Sequence, residues 1–201
     1  VSCMAISWDS AVLACGTTDG HLTLWDLSTG GVRSTLDDHS TKVLSVAFTS
    51  EHGLLQSGSE DGVIRVWDIN RGSFQERELG RKCSLVAFSR LGDRVATVHE
   101  DNRTLRLEKI FWRDISSNAT AHISGSRIWN VAFSPDGKRV ASTSFDHQTL
   151  IWDASSGELL PPLPQKGDPP RCWGLALAFS PDGTLLLSGN QDGSALMYRT
   201  S

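Results

Sequence analysis

The run SGSEDGVIRVWD, Ser57 to Asp68, decides how this chain reads. Asp61-Gly62 is a turn pair: an Asp side chain can bond the backbone two residues on, and Gly accepts the left-handed position that reverses the chain. From Val63 to Trp67 the alternation is that of a half-buried strand. The same grammar recurs along the chain. An Asp stands at Asp19, Asp61, Asp101, Asp146 and Asp192, so the period is 40 to 46 residues. Six residues after each comes a bulky residue: Trp25, Trp67, Leu107, Trp152 and Tyr198. Thirteen residues before four of them stands an aromatic: Phe48, Phe88, Phe133 and Phe179. In the first unit Trp8 takes that place, two residues closer to its Asp.

Working outward from that period, each unit holds short apolar runs separated by turn residues. Val46-Ala47-Phe48, Val131-Ala132-Phe133 and Leu177-Ala178-Phe179 predict a first strand. Leu54-Leu55, Arg94 to Thr97, Val140 to Ser142 and Leu185 to Ser188 predict a second. Ser134-Pro135-Asp136-Gly137 and Ser180-Pro181-Asp182-Gly183 join the two as turns, since Pro presets φ and Gly permits the reversal. A weaker fourth strand is expected at Val32 to Leu36, Phe74 to Leu79 and Glu158 to Leu160, with charges suited to an outer edge. No segment carries a helical period. Four antiparallel strands in about 40 residues, repeated, is the arithmetic of a β-propeller blade. The expected units are 1–38, 39–79, 80–122, 123–168 and 169–201, all within one partial propeller. The third is degenerate, ending in Arg106-Leu107-Glu108 and followed by residues 109–123, an outer strand that has drifted or an insertion that meets a partner.

Bulk composition agrees. Of 201 residues, 39% are hydrophobic and 21% charged, which suits a globular chain. The net charge of −4 with scattered Lys and Arg gives no nucleic-acid footprint. No apolar stretch reaches the roughly 18 residues of a membrane span, and no secretory signal is visible, although the chain opens on Val1. Cys3, Cys15, Cys83 and Cys172 form no CxxC pair and have no His at zinc spacing, so free thiols in a reducing compartment are expected. The cytoplasm fits, and the nucleus is compatible. One Asn118-Ala119-Thr120 sequon points the other way. No phosphate-cradling Gly loop, carboxylate pair or metal cluster is present in the sequence, so neither cofactor, metal nor catalytic residue is expected.

These residues resemble the WD-repeat family. Trp25-Asp26, Trp67-Asp68 and Trp152-Asp153 stand where that family has its signature dipeptide, and the resemblance covers essentially the whole chain. It implies an all-β propeller of four-stranded blades. Such rings close with about seven blades, so the five units are expected to be part of a larger ring, completed by other residues or another chain. It also implies a bracing network of four side chains, complete only in the second unit as His39, Ser57, Asp61 and Trp67, with Asp orienting His and Trp donating its N–H. Elsewhere the His place reads Leu79, Ser124 and Pro170. A hydrolytic triad from His39, Ser57 and Asp61 is rejected, because it would need an exposed nucleophile and an oxyanion hole.

In the resemblance, partners meet positions six and four residues before the first-strand aromatic and one before the turn Asp. These are Ser2, Met4 and Thr18 in the first unit and Lys42, Leu44 and Glu60 in the second. The third gives Lys82, Ser84 and Glu100; the fourth Arg127, Trp129 and Phe145; the fifth Trp173, Leu175 and Gln191. Large aromatics and Arg at solvated positions are the residue types of binding hot spots, so Arg127, Trp129, Phe145 and Trp173 form the expected patch, with interblade packing of the two Trp as the structural alternative. Lys42, Glu60, Lys82 and Glu100 form a mixed-sign sector suited to orientation. The expected function is a non-catalytic scaffold for a protein or peptide partner, with no membrane and no nucleic acid. The alternatives are a sensor or autoinhibitory propeller of a larger signalling NTPase-type chain, and a structural subunit of a stable complex.

Overall fold

The computed structural model describes residues 1–36, 39–51, 53–109, 117–122, 126–146, 148–163 and 174–200, and for 117–122 the backbone. Every regular element among them is a β-strand, and the strands form five antiparallel sheets. Two compact units divide them, residues 1–92 and 93–201.

The first unit holds two complete sheets. One runs β1 (Cys3–Ile6), β2 (Val12–Gly16), β3 (Leu22–Asp26), β4 (Val32–Leu36); the other β5 (Val43–Phe48), β6 (Leu54–Ser59), β7 (Val63–Asp68), β8 (Ser73–Glu78). The first unit also holds β9 (Cys83–Phe88), and the second opens with β10 (Arg94–His99), β11 (Thr104–Lys109) and β12 (Ser117–His122). The second unit continues with β13 (Ile128–Phe133), β14 (Arg139–Ser144) and β15 (Thr149–Asp153), then β16 (Gly174–Phe179), β17 (Leu185–Asn190) and β18 (Ala195–Arg199). The drifted end of the third repeat is therefore an outer strand over Ser117–His122, paired with β11. The outer strand expected at Glu158 to Leu160 is reduced to a single bridge between Leu159 and Trp152.

Local chemistry explains the repeat. After each Trp-Asp pair the Asp carboxylate accepts the N–H groups two and three residues on: Ser28 and Thr29 for Asp26, Asn70 and Arg71 for Asp68, Ser155 and Ser156 for Asp153. The turn closes when the Gly four residues later donates its N–H to the same Asp carbonyl, at 2.8 Å for Gly30 and Gly72 and 2.9 Å for Gly157. The dipeptide thus marks a strand end and its turn together. Serine and aspartate do the same between first and second strands, where Ser134 donates to Asp136 at 2.6 Å and Ser180 to Asp182 at 2.5 Å.

The core lies between successive sheets. Register places Val12, Ala14, Leu22 and Leu24 on one face of the first sheet. They pack with Val46, Phe48, Leu55 and Trp67 from one face of the second, all within 7% exposure. In the second unit Ala141 and Ile151 meet Leu186 and Tyr198 in the same way. The half-buried strand expected from Val63 to Trp67 is covered on both sides instead, since Ile64, Arg65, Val66 and Trp67 are all buried.

One alignment of the repeats needs correction. Phe48 pairs with Leu55 and Phe179 with Leu186, residues that in turn face Trp67 and Tyr198. In the first sheet the residue in that register is Ile6, opposite Leu13 and Trp25. Trp8 lies beyond the strand, where its N–H donates to the Thr49 carbonyl at 2.7 Å and the Arg90 guanidinium stacks 3.8 Å from its ring. Its two-residue offset was the visible signal. Met4 consequently sits on the flank of the sheet, not at the entrance position expected for it.

Candidate functional site

Three of the expected contact positions share a backbone device. Leu44, Trp129 and Leu175 each fall where the first strand slips register against the second, between Val43 and Ser45, Ile128 and Asn130, and Gly174 and Ala176. Such a bulge leaves one residue unpaired and re-aims its side chain. Trp129 and Leu175 are 38% and 39% exposed, and Leu44 is half-buried.

In the second unit the bulge builds a patch. The Phe145 N–H donates to the Arg127 carbonyl at 2.9 Å, so these two residues are held side by side. The Trp129 ring meets Phe145 edge-on, with centroids 5.2 Å apart and planes at 70°. Asn130 donates to the Leu175 carbonyl at 3.1 Å, and Thr143 to the Gly174 carbonyl at 2.9 Å, tying β13 and β14 to β16 at this rim. Arg127 is exposed. The structure thus brings together Arg127, Trp129, Phe145 and Leu175. Trp173 lies outside the described residues. Asn130 and Thr143 escaped the sequence reading because nothing in their spacing distinguishes them from other polar strand residues.

In the first unit the same device links Lys42 and Glu60, whose carbonyl and N–H bond at 2.9 Å. Both side chains are exposed.

The bracing network departs from expectation. His39, Ser57 and Trp67 are buried together, and both His39 Nε2 and the Trp67 N–H reach the Ser57 hydroxyl, at 2.7 and 2.8 Å. The other ring nitrogen, Nδ1, lies 2.6 Å from an Arg65 Nη1, not on Asp61. Asp61 instead accepts Ser59 at 2.5 Å, Ser40 at 2.9 Å and the Val63 N–H at 3.1 Å, which makes it the lock of its own turn. An Arg can only donate, so Nδ1 accepts, and the ring proton on Nε2 goes to Ser57. Arg65 is itself buried, ion-paired with Glu76 and placed 5.5 Å from the Phe74 ring centroid. Its place in an outward-reading alternation concealed this role.

Burial, and then the Arg65 charge, push the His39 imidazole down to about 4 from an ordinary 6.5. Between those values the unfolded chain binds a proton that the folded chain refuses, so stability falls as pH falls from about 6.5 and stops falling below about 4. Urea unfolding near pH 7 and near pH 5 is expected to show a loss of about 2 kcal/mol from this group. A His39→Gln variant with the full slope would place the effect elsewhere.

Comparison with known proteins settles the family. The WD domain, G-beta repeat (WD40) description matches residues 1–26, 30–68, 115–153 and 170–199, more than half of the chain. The chain belongs to the WD-repeat family. Its fold is that of a β-propeller: the β-propeller domain of Myceliophteria thermophila Cps50 (Swd1) superposes with a TM-score of 0.83 at 17% identity, over 100% of this chain and 65% of that one. Autophagy-related protein 16 of Arabidopsis thaliana is 28% identical over 202 residues, 98% of this chain and 39% of that protein. Meiotic recombination protein rec14 of Schizosaccharomyces pombe is 34% identical over 89 residues, 44% of this chain and 27% of that protein. This WD-repeat chain spans well under half the length of these curated relatives. Among its described residues, no helix is long and apolar enough to cross a membrane.

Proposed function

We propose that this WD-repeat chain is a non-catalytic scaffold that captures a protein or peptide partner on the rim formed by Arg127, Trp129, Phe145 and Leu175. The observation that carries the reading is Trp129: a large aromatic, lifted by a bulge to 38% exposure, with Phe145 against its edge and Arg127 beside it. A fixed, half-exposed Trp flanked by Arg is the composition of an interface anchor, because a partner can desolvate a rigid ring at little entropic cost. Lys42 and Glu60, on the equivalent positions of the first unit, supply charges of both signs that orient a partner more than they hold it. Relatives named for tasks as different as autophagy and meiotic recombination support a shared binding role over a shared reaction.

Trp129→Ala is expected to weaken capture of partners from cell extract at least tenfold, a loss of about 1.4 kcal/mol or more, while the circular dichroism spectrum and the melting temperature stay near those of the parent. Undiminished capture, or an unfolded variant, removes this rim from the account.

A further inference from the structure

Thr49 follows β5 at the end opposite Lys42, and there three turns of the first unit are tied together. The Trp8 N–H donates to the Thr49 carbonyl at 2.7 Å, and the Ser50 N–H to the Arg90 carbonyl at 3.0 Å. The Arg90 guanidinium closes the triangle, 3.8 Å from the centroid of the Trp8 ring. Leu91, next in the chain, is 54% exposed.

Stacking on an aromatic ring fixes the plane of a guanidinium and leaves its N–H fork open at the edges. Among the described residues, no acid and no carbonyl accepts from the Arg90 side chain. Asp9, beside Trp8, has its carboxylate turned into its own loop, where it accepts the Ser7 hydroxyl at 2.6 Å and the Ala11 N–H at 3.1 Å.

Alongside Trp8 a crevice of about 140 Å³ opens between the first two sheets, with Val12, Phe48 and Ile69 as its apolar lining. Val12 and Phe48 belong to the core that these sheets share, so the crevice lies on the covered side of the first sheet. Its volume is close to the roughly 150 Å³ that admits a benzene ring, enough for one apolar side chain. Asp9, Glu51 and Arg33 also border it, and Arg33 donates to Asn70 at 3.4 Å.

We propose that this corner docks a peptide segment carrying an acidic side chain beside an apolar one. The carboxylate takes the Arg90 fork, and the apolar side chain enters the crevice along the Trp8 ring. A planar fork and a carboxylate match in shape as well as charge. A nucleic-acid strand fits less well, because Asp9 and Glu51 interrupt the positive track that a phosphate chain needs. No residue of the Trp129 rim takes part.

The test is differential selection from a random phage-displayed peptide library. The library is depleted on the Arg90→Gln chain, then captured on the purified 201-residue parent. Captured peptides are expected to share Asp or Glu next to Leu, Ile, Met or Phe. In fluorescence anisotropy the leading synthetic peptide is expected to bind Arg90→Gln about tenfold more weakly or worse, since a charged hydrogen-bonded pair is lost. Arg90→Lys keeps the charge without the planar fork and is expected to restore only a small part of the affinity. It also replaces Arg90→Gln in the depletion if that variant fails to fold. A selection that yields no peptide overturns the proposal, as do captured peptides without an acid. Captured peptides whose affinity falls with Trp129→Ala belong to the rim and overturn it too. So does an Arg90-dependent affinity for oligothymidylate in place of any peptide.

Discussion

Trp67→Ala is expected to lower the unfolding free energy by about 3–5 kcal/mol, the cost of emptying a buried aromatic site. Trp67 is 2% exposed and sits in the core cluster with Val46, Phe48 and Leu55. Its ring lies 4.8 Å from that of Phe74, and its N–H donates to Ser57 at 2.8 Å. Truncation removes the ring contacts and one of the two donors at the Ser57 hydroxyl, so packing and hydrogen bonding fail together. Trp25 occupies the same place in the sequence motif but is 36% exposed. Trp25→Ala is therefore expected to cost about 1 kcal/mol, since half-covered surface returns less on burial. Urea titration of the two variants against the parent measures both. Equal losses would mean that motif position, not burial, sets the energy, and the core assignment would fail.

Gly62→Ala carries the second large effect, about 2–4 kcal/mol of destabilisation. Gly62 has φ +84°, and a Cβ there would stand 1.9 Å from the Arg81 carbonyl oxygen and 2.9 Å from its carbon. Backbone cannot rotate aside as a flexible side chain can, and the Gly62 carbonyl also accepts the Leu79 N–H at 2.9 Å. The turn after Asp61 is thus pressed against the following segment of chain. Gly72 provides the control: φ is +66°, with no atom within 4 Å of an added Cβ. Gly72→Ala is expected to cost about 1 kcal/mol, the left-handed strain alone. Thermal melts of the two variants separate strain from collision, and similar shifts would show that the Arg81 carbonyl yields freely.

The candidate site was legible in part. Arg127, Trp129 and Phe145 came from the WD-repeat resemblance, which implies contact positions counted back from an aromatic and an Asp, and the structure sets them side by side. The bulge that turns Trp129 outward was not legible, because a register slip depends on the partner strand as much as on the slipped one. His39, Ser57 and Trp67 were grouped by what the resemblance implies, and the structure buries them together. That Arg65, not Asp61, faces His39 was not legible, since a residue in strand alternation gives no sign of which neighbour its long side chain will reach.

By itself the sequence determined what is local: strands from alternation, turns from Asp-Gly and Ser-Pro-Asp-Gly, and the repeat from the recurring Asp and Trp. Those preferences live within a few residues and survive in any context. Tertiary structure alone decided that Ile6, not Trp8, completes the first repeat, that Trp67 is core where Trp25 is more exposed, and that a bulge turns Trp129 outward. Burial is set by the sheet that lies alongside, and that sheet is some forty residues away in the chain, beyond the reach of any local pattern.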